Sequence, residues 1–219
     1  MVYLLYNPIE CDWKDEYEFD SLLPEERKRK ALRYVRYSDR LLSRKAYFLL
    51  CYAVSREYGV SSFPQLAFRE DNKPCFKEFP NIKFSFSHCS GGILCSVSEY
   101  ETGADIESAE LYAGQPIDGI LSEMEKNALY ASSDAGKYFM AVWTLKEAYG
   151  KYMGTGLLYK LQEESFVPVY DSWYLRKGLF YYTSQQNGCI FTVCRRNPCT
   201  VKVIENTRLT RFLAKKQNQ

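Results

Sequence analysis

One nine-residue stretch constrains this chain most: residues 143–151 read Trp-Thr-Leu-Lys-Glu-Ala-Tyr-Gly-Lys. Trp143, Glu147 and Lys151 stand four apart, so on a helix they share one face. A surface Glu–Lys pair at this spacing is common and contributes only about 0.2–0.5 kcal/mol to helix stability. A functional face is the alternative, because a carboxylate binds a hard cation and a lysine binds phosphate charge. The helix alone favours the surface pair, and the rest of the chain reverses that preference.

A second acidic pair lies upstream, at residues 103–107. The β-prone run at residues 92–98, a polar turn and the run opened by Gly103 together predict a hairpin. On its second strand Asp105 and Glu107 share a face, and adjacent carboxylates repel unless a cation lies between them. With Glu147 they supply three oxygen donors, which suits Mg²⁺ because that ion also takes waters and substrate phosphates. Two acids at a solvated strand end are the other explanation.

The only histidine of the chain, His88, follows the alternating strand pattern of residues 84–86. A polar, glycine-rich turn comes directly after it. A lone histidine more often serves as a structural hydrogen-bonding group, but loops at strand ends are where ligands commonly bind. The neighbouring Cys89 is a poor candidate nucleophile, because adjacent residues on an extended segment point apart.

Together the three elements resemble the 4'-phosphopantetheinyl transferases of the larger, surfactin-synthetase-activator type. The family signature is a Ser-His-Ser-like strand end, then Gly-x-Asp-x-Glu, then Trp-Ser/Thr-x-Lys-Glu-Ala/Ser-x-x-Lys, and the chain has all three in that order. The Lys73-Pro74 pair and the Gly-Thr-Gly-Leu at 154–157 match two further family segments. Two positions depart from the pattern: Cys89 replaces the usual serine, and Asn72 replaces the glycine of Gly-Lys-Pro.

The resemblance implies a reaction. The 4'-phosphopantetheine arm of coenzyme A would pass to a serine hydroxyl of an apo acyl or peptidyl carrier protein, releasing adenosine 3',5'-bisphosphate. Mg²⁺, with Mn²⁺ as an alternative, would be held by Asp105, Glu107 and Glu147 and bridge the diphosphate. Glu147, directly or through a metal-bound water, would take the serine proton, and Lys151 would stabilise phosphate charge. Such chemistry needs positioning and charge neutralisation more than covalent participation of the protein.

A basic run at residues 27–30 is the first candidate for the nucleotide end of coenzyme A. A solvated helix face is the ordinary explanation of such a run. In the family, however, basic residues here hold the 3'-phosphate, which assigns Arg27 and Lys30, or Lys28 if the register slips by one. The full set that we expect to contact coenzyme A is Arg27, Lys30, Ser43, Lys73, Ser87, His88 and Lys151, with Glu125, Arg44 and Lys146 in supporting roles.

The order of elements predicts an α+β fold in two halves. Each half reads as a strand, a helix and further strands, and the resemblance implies two similar α/β subdomains related by a pseudo-twofold, with the active site in the cleft between them. We divide the chain into residues 1–102, residues 103–205 and a flexible basic tail at 206–219. Helices are predicted at 38–58, after Ser122 and at 135–153. Strands are predicted near 67–69, 83–87, 93–98, 103–107, 165–170, 173–177, 179–184 and 188–195.

Composition excludes other classes of protein. A net charge of +2 argues against a bulk nucleic-acid binder, and no apolar stretch approaches the roughly 20 residues of a membrane span. The 8 cysteines show no Cys-x-x-Cys pattern, and residues 1–6 predict a strand rather than a signal peptide. We therefore expect a cytoplasmic protein with free thiols. We also expect a monomer, because two halves in one chain complete a cleft without a partner.

Two rival functions stay open. A Mg²⁺-dependent nuclease also clusters acids with a lysine, but its usual Glu-x-Lys lies on a strand, and a net charge near zero argues against it. The other rival is a non-catalytic protein that binds coenzyme A or a carrier domain. The presence of all three acids and Lys151 argues against this second rival.

Overall fold

The computed structural model describes residues 1–10, 13–110, 117–156 and 161–219. Cys11 and Leu157, the last residue of the predicted Gly-Thr-Gly-Leu segment, lie outside these ranges. The helices are α1 (Glu25–Leu32), α2 (Tyr37–Tyr58), α3 (Glu123–Ala131), α4 (Ala135–Met153) and α5 (Asn206–Gln217). The strands are β1 (Val2–Tyr6), β2 (Leu66–Phe68), β3 (Pro74–Phe76), β4 (Lys83–Cys89), β5 (Gly92–Ser98), β6 (Thr102–Ser108), β7 (Trp173–Arg176), β8 (Leu179–Gln186), β9 (Cys189–Arg195) and β10 (Val201–Ile204).

The fold is mixed α+β, as predicted, with one long helix against each of two four-stranded sheets. The first sheet has the order β10-β1-β5-β4, and α2 packs on it. Residues 41–54 of α2 are all buried, because α1, α5 and the segment containing Trp13 and Phe19 cover the helix on its other sides. The second sheet, β6-β9-β8-β7, is antiparallel throughout and carries α4.

The two sheets meet along β4 and β6. The predicted hairpin of residues 92–98 and 103–107 is wrong: β5 pairs with β1 and β4, whereas β6 pairs with β9. Serine hydroxyls of β4 bridge the sheets instead. The Ser85 Oγ accepts a hydrogen bond from the Ala104 amide at 2.9 Å, and the Ser87 hydroxyl donates to Asp105 at 2.8 Å. The Ser85 hydroxyl thus satisfies one backbone amide of β6, and the other contact joins side chains of the two strands, while β6 itself pairs with β9 of the second sheet.

The predicted flexible tail at 206–219 is also wrong. Residues 206–217 form α5, and Leu209 and Leu213 on this helix are buried. Phe212 packs edge-to-face on Tyr52 of α2, with ring centroids 5.3 Å apart. The preceding β10 pairs in parallel with β1. The C-terminal residues therefore complete the first sheet and its core, although they follow the second sheet in sequence.

Helix ends are the most accurate of the sequence-based predictions. The helix α4 spans the predicted 135–153 and ends at Gly154, whose φ of 79° is left-handed. Ser122 caps α3 in the predicted capping box with Glu125. The predicted strand at 165–170 is wrong: in this segment only Tyr170 makes an isolated bridge, to Thr183. Side chains take up the backbone hydrogen-bonding groups of that segment: the Phe166 amide donates to Glu125, and the Ser165 carbonyl accepts from Arg176.

Within the described ranges no helix is long and apolar enough to cross a membrane.

Candidate active site

The close approach of β6 to α4 creates the site, and Gly103 permits it. A Cβ atom at this position would overlap the carbonyl oxygen of Ala148 on α4 and would lie 2.7 Å from the Tyr152 amide nitrogen. Only glycine allows two backbones this close. The first residue of the Gly-x-Asp-x-Glu motif therefore has a packing role: it lets the acids of β6 meet the polar face of α4.

Asp105 lies at the centre of the site and is 2% exposed. Its Oδ1 accepts from the Lys151 ammonium at 2.6 Å and from the Ser87 hydroxyl at 2.8 Å. The Lys151 ammonium also donates to the Ser87 Oγ at 3.0 Å. The three groups form a closed triangle that joins β4 of the first sheet with β6 and α4 of the second.

Two carboxylate oxygens beside this triangle are buried and unsatisfied. Asp105 Oδ2 and Glu147 Oε1 have no hydrogen-bond partner among the described residues. A buried carboxylate oxygen without a partner is unfavourable, so such a pair indicates a place where a further group completes the site.

The two glutamates of the site, Glu107 and Glu147, hold their protons more tightly than isolated carboxyls. The pKa of Glu147 is raised to about 7, first by burial and then by the charge of Asp105, while Lys151 opposes the shift. Burial and the same aspartate raise the pKa of Glu107 to about 7. Lys151 does not offset three carboxylates, so the cluster carries excess negative charge at neutral pH.

This donor set fits a hard divalent cation. In the described ranges no three His, Cys, Asp or Glu residues already surround a common metal position. Mg²⁺ does not require such a cage, because it commonly binds through one or two carboxylates and takes its other ligands from water and phosphate. The two unsatisfied oxygens of Asp105 and Glu147 match that requirement.

Trp143 both packs the helix and contacts an acid of the site. The ring packs against the apolar cluster of α3 and α4. A side-chain hydrogen bond from Trp143 also reaches Glu107 and lowers its pKa against the effect of burial. Trp143 thereby orients one of the three acids, a contact that the helical spacing alone could not reveal.

A cavity of about 520 Å³ opens beside the acid cluster. Its lining includes three lysines, Lys30 from α1, Lys73 from the turn before β3, and Lys151, together with residues 154–156 after α4. The volume is that of a typical small-molecule or cofactor site. The ammonium groups favour an anionic ligand, although Asp71 also lines the cavity and Lys73 and Lys151 are paired with Glu101 and Asp105.

His88 lines the same cavity as a neutral side chain. Burial, and then the positive charges of Lys151, Lys30 and Arg27, lower the pKa of its imidazole to about 4. At neutral pH His88 therefore offers one hydrogen-bond donor and one acceptor, and it adds no charge for a phosphate group.

Asn72 also lines the cavity, where the family signature has glycine. Its φ of 61° lies in the left-handed region, which asparagine tolerates better than other non-glycine residues. The replacement therefore keeps the turn that presents Lys73.

The sequence did not indicate two further residues, Asp71 and Ser85, which line the cavity as well. The left-handed turn signal at 71–72 could have indicated Asp71.

Several predicted site residues lie away from the cavity wall. Arg27 is buried between the rings of Tyr47 and Phe86 and donates to the Ser43 carbonyl at 2.9 Å. Arg44 binds Asp20, with an Nε–Oδ1 distance of 2.8 Å. These residues and the buried Ser43 hold α1 and the N-terminal segment against α2.

Glu125 and Lys146 are likewise remote from the cavity. Both are 0% exposed, and their Oε2 and Nζ atoms lie 2.9 Å apart in an ion pair. The structure thus brings together Asp105, Glu107, Glu147 and Lys151 with Lys30, Lys73, Ser87 and His88.

The fold and site define a class: an α+β protein with a lysine-lined cavity beside a carboxylate cluster, the two joined by the Lys151–Asp105 pair. Residues 101–195, which span β6 to β9, match the 4'-phosphopantetheinyl transferase superfamily. This second half of the chain is thus similar to that superfamily, and the relatives that the chain resembles are named as enzymes of this class.

The named relatives come from bacteria and yeast. The 4'-phosphopantetheinyl transferase Sfp of Bacillus subtilis (strain 168) is 25% identical over 159 residues, covering 71% of each chain. The 4'-phosphopantetheinyl transferase ffp of Bacillus subtilis is 24% identical, covering 63% of this chain and 62% of the relative. The L-aminoadipate-semialdehyde dehydrogenase-phosphopantetheinyl transferase of Saccharomyces cerevisiae is 30% identical over 127 residues, covering 51% of this chain and 46% of the relative. The chain thus matches about half to seven-tenths of these relatives' lengths.

Proposed function

We propose that the chain transfers the 4'-phosphopantetheine arm of coenzyme A to a serine hydroxyl of an apo acyl or peptidyl carrier protein, with Mg²⁺, and releases adenosine 3',5'-bisphosphate. One observation carries the proposal. A cavity with three lysines ends at Lys151, whose ammonium also binds the buried Asp105 of the acid cluster. Lys151 therefore belongs both to the cavity that would bind the anionic donor and to the acid cluster that would hold the cation. The names of the relatives support the same reaction.

The cavity lysines would divide the phosphates of coenzyme A among them. Lys30 comes from α1, where the 3'-phosphate would bind, and Lys151 lies beside Asp105, where the diphosphate would bind. The Lys73 ammonium already donates to Glu101 and to the carbonyls of Thr102 and Tyr152, so it would contribute charge rather than a new hydrogen bond. Neutral His88 would bind a polar group of the nucleotide. Arg27 and Ser43, one layer behind this wall, would keep α1 in place.

Asp105, Glu107 and Glu147 would hold the cation, through the two unsatisfied oxygens and the third carboxylate. Bound there, Mg²⁺ or Mn²⁺ would supply neutralisation of the diphosphate charge. Trp143 would keep Glu107 turned towards the site. The triangle of Ser87, Asp105 and Lys151 would keep the aspartate fixed while substrate enters.

The proton of the acceptor serine would pass to Glu147. Its Oε1 atom is buried and has no hydrogen-bond partner among the described residues, so it is available to accept that proton. The serine oxygen then forms a bond to the β-phosphorus of coenzyme A, and the bridging P–O bond to the adenosine bisphosphate breaks. Lys151 would stabilise the negative charge that develops on the phosphates, and no covalent protein intermediate is required.

A mass assay tests the proposal. The full chain is incubated with coenzyme A, MgCl₂ and a panel of apo fatty-acid, polyketide and peptide carrier proteins, and each carrier is weighed intact. We expect a gain of one phosphopantetheine arm, which EDTA and Glu147→Gln abolish. Glu123→Gln is the matched control, because this side chain is 85% exposed on α3. No gain on any carrier, with coenzyme A still bound, would replace the proposal with the non-catalytic binder.

Cellular setting and assembly belong to the same proposal. The described cysteines are all free thiols, which suits a reducing cytoplasm. Both sheets of the site come from one chain, so a monomer would be sufficient, and light scattering at assay concentration measures this directly.

A further inference from the structure

Two cysteine thiols meet where the halves of the molecule join. Cys89 ends β4 of the first sheet, and Cys189 begins β9 of the second. Their Sγ atoms lie 3.7 Å apart, and the residues are 8% and 1% exposed. The pair is 100 residues apart in sequence, so the contact is a product of the fold.

The turn after Cys89 is shaped around the second thiol. A Cβ atom at Gly91 would lie 2.5 Å from the Cys189 Sγ, and one at Gly92 would lie 2.7 Å from Ile106. The missing side chain of Gly91 leaves the space that the Cys189 thiol occupies, and that of Gly92 leaves space for Ile106. Cys89 is also one of the two positions where this chain departs from the family signature, which has serine there.

The environment of Cys89 favours the thiolate form. A hydrogen bond from the Cys189 thiol and backbone hydrogen bonds from Gly91 and Gly92 lower the pKa of Cys89, against the effect of burial. By contrast, burial raises the pKa of Cys51, in the core of the first half, and of Cys194, in the core of the second half. Since the thiolate is the reactive form, oxidation would select Cys89.

We propose that Cys89 and Cys189 form a hydroperoxide-sensitive dithiol that closes to a disulfide between the two halves, next to the candidate active site. The Cys89 thiolate attacks one peroxide oxygen: an S–O bond forms, the O–O bond breaks, and hydroxide leaves and takes up a proton as water. The Cys189 sulfur then attacks the sulfenic acid: the S–S bond forms, the S–O bond breaks, and a second water leaves. Two thiols are oxidised by one hydrogen peroxide, which is reduced to two waters.

Closure would change the geometry of the site. The Sγ atoms must move from 3.7 Å to about 2.05 Å apart, which draws the end of β4 towards β9. Cys89 is adjacent to His88, and Cys189 pairs across the ladder with Ser108, next to Glu107. Oxidation would therefore displace the β4 groups relative to the acids of β6. This consequence, a reversible loss of transferase activity, rests on the function proposed above.

Peptide mapping tests the disulfide without reference to activity. The full chain is treated with stoichiometric hydrogen peroxide, alkylated and digested without reductant. We expect a Cys89–Cys189 cross-linked peptide lacking two hydrogens, which dithiothreitol removes and which neither Cys89→Ser nor Cys189→Ser can form. Alkylation of both thiols after treatment, or oxidation of Cys89 to a sulfinic acid without a cross-link in the wild-type chain, would overturn the proposal.

An activity assay tests the consequence separately. We expect peroxide to lower transfer by the wild-type chain at least tenfold, with recovery after dithiothreitol. The Cys189→Ser variant, which cannot close the bond, should keep its activity under the same treatment. Unchanged activity of a cross-linked wild-type chain would overturn the effect on the site. A chain that forms the cross-link but never transfers the arm would instead count against the proposed function.

Discussion

Helix α4 carries two lysine–carboxylate pairs that differ in how completely their polar atoms are satisfied. The Lys146–Glu125 pair is sealed in the second half, with both residues 0% exposed. Glu125 accepts from the Phe166 amide at 2.7 Å and the Ser122 amide at 2.8 Å, and Lys146 also donates to the carbonyls of Leu161 and Glu164. Both oxygens of the acid are paired, so this pair already has its structural partners.

The Lys151–Asp105 pair lies five residues further along the helix and is incomplete. Asp105 Oδ2 and the neighbouring Glu147 Oε1 are unpaired among the residues that the structure describes. The Lys151 side chain is 29% exposed and lines the cavity. Both pairs look alike in sequence, as a lysine of α4 with a distant acid. The difference teaches that unsatisfied buried oxygens, rather than charge pairing itself, distinguish a site from a structural link.

The largest difference should appear in catalysis, with Glu147→Gln. This change keeps the shape of the side chain but removes the proton acceptor and a cation ligand, so we expect transfer to fall by about 10²–10⁴-fold. Stability should stay the same or rise, because a buried unpaired carboxylate is lost. Steady-state kinetics on an apo carrier and urea unfolding measure the two effects. A loss below tenfold would show that Glu147 does not act on the reacting groups.

The sealed pair should give the opposite result, with Lys146→Met. Removing the ammonium leaves the charge of Glu125 buried and uncompensated, which costs about 3–5 kcal/mol of folding free energy. The double variant Lys146→Met/Glu125→Leu should recover most of that loss. Urea unfolding of the three chains measures it, and activity per folded molecule should change only a few-fold. A large specific loss of activity at full stability would place this pair in the site after all.

The contrast also shows what the sequence could predict. Local signals were sufficient for α4, because Gly154 supplies a left-handed C-cap, and for α3, because Ser122 and Glu125 form a capping box. The cluster of Asp105, Glu107, Glu147 and Lys151 followed from two periodicities, strand and helix. The family resemblance then identified which strand and helix belong together.

Long-range pairing is what the sequence could not show. Lys146 and Glu125 were assigned supporting roles, since nothing local reveals that they seal each other from solvent. The sequence predicts a flexible basic tail at 206–219, although Leu209 and Leu213 have the spacing of a helical apolar face. The parallel partner of β10 is β1, nearly 200 residues away, and such a contact depends on the completed fold.

The third prediction concerns pH and the cation. The folded-state pKa values of Glu107 and Glu147, about 7, lie above the ordinary value of 4.5. Without a cation, these groups therefore reduce stability as pH rises from about 4.5 to about 7, and the reduction is complete above that range. Cation binding needs the ionised acids, so added Mg²⁺ should stabilise the protein more at pH 8 than at pH 5.5.

Thermal unfolding with and without Mg²⁺ measures this effect. At a concentration of about 100 Kd the expected gain is about 2.7 kcal/mol, or roughly 5–10 °C in Tm at pH 8. The lowered pKa of His88 makes stability rise with pH from about 4 to 6.5. This contribution is the same with and without Mg²⁺ at one pH, so it cancels from the difference in Tm. Glu125→Gln should not change the Mg²⁺ effect, whereas Glu147→Gln should remove most of it. Equal stabilisation at both pH values would argue against carboxylate ligation.

The smallest effect should come from Trp143→Phe, which keeps the ring in its apolar cluster but removes the hydrogen bond to Glu107. A group that orients a metal ligand typically contributes 10–100-fold in affinity, and we expect the lower limit here, about tenfold more Mg²⁺ for half-maximal transfer. Trp173→Phe is the matched control, because its indole donates only to the Cys199 carbonyl on the far side of the second sheet. A loss of stability without a change in Mg²⁺ dependence would mean that Trp143 only packs. A change in Mg²⁺ dependence at constant stability would show that Trp143 orients Glu107 for the cation. The incomplete Lys151–Asp105 pair would then depend on an orienting residue as well as a ligand, whereas the sealed Lys146–Glu125 pair needs no ligand.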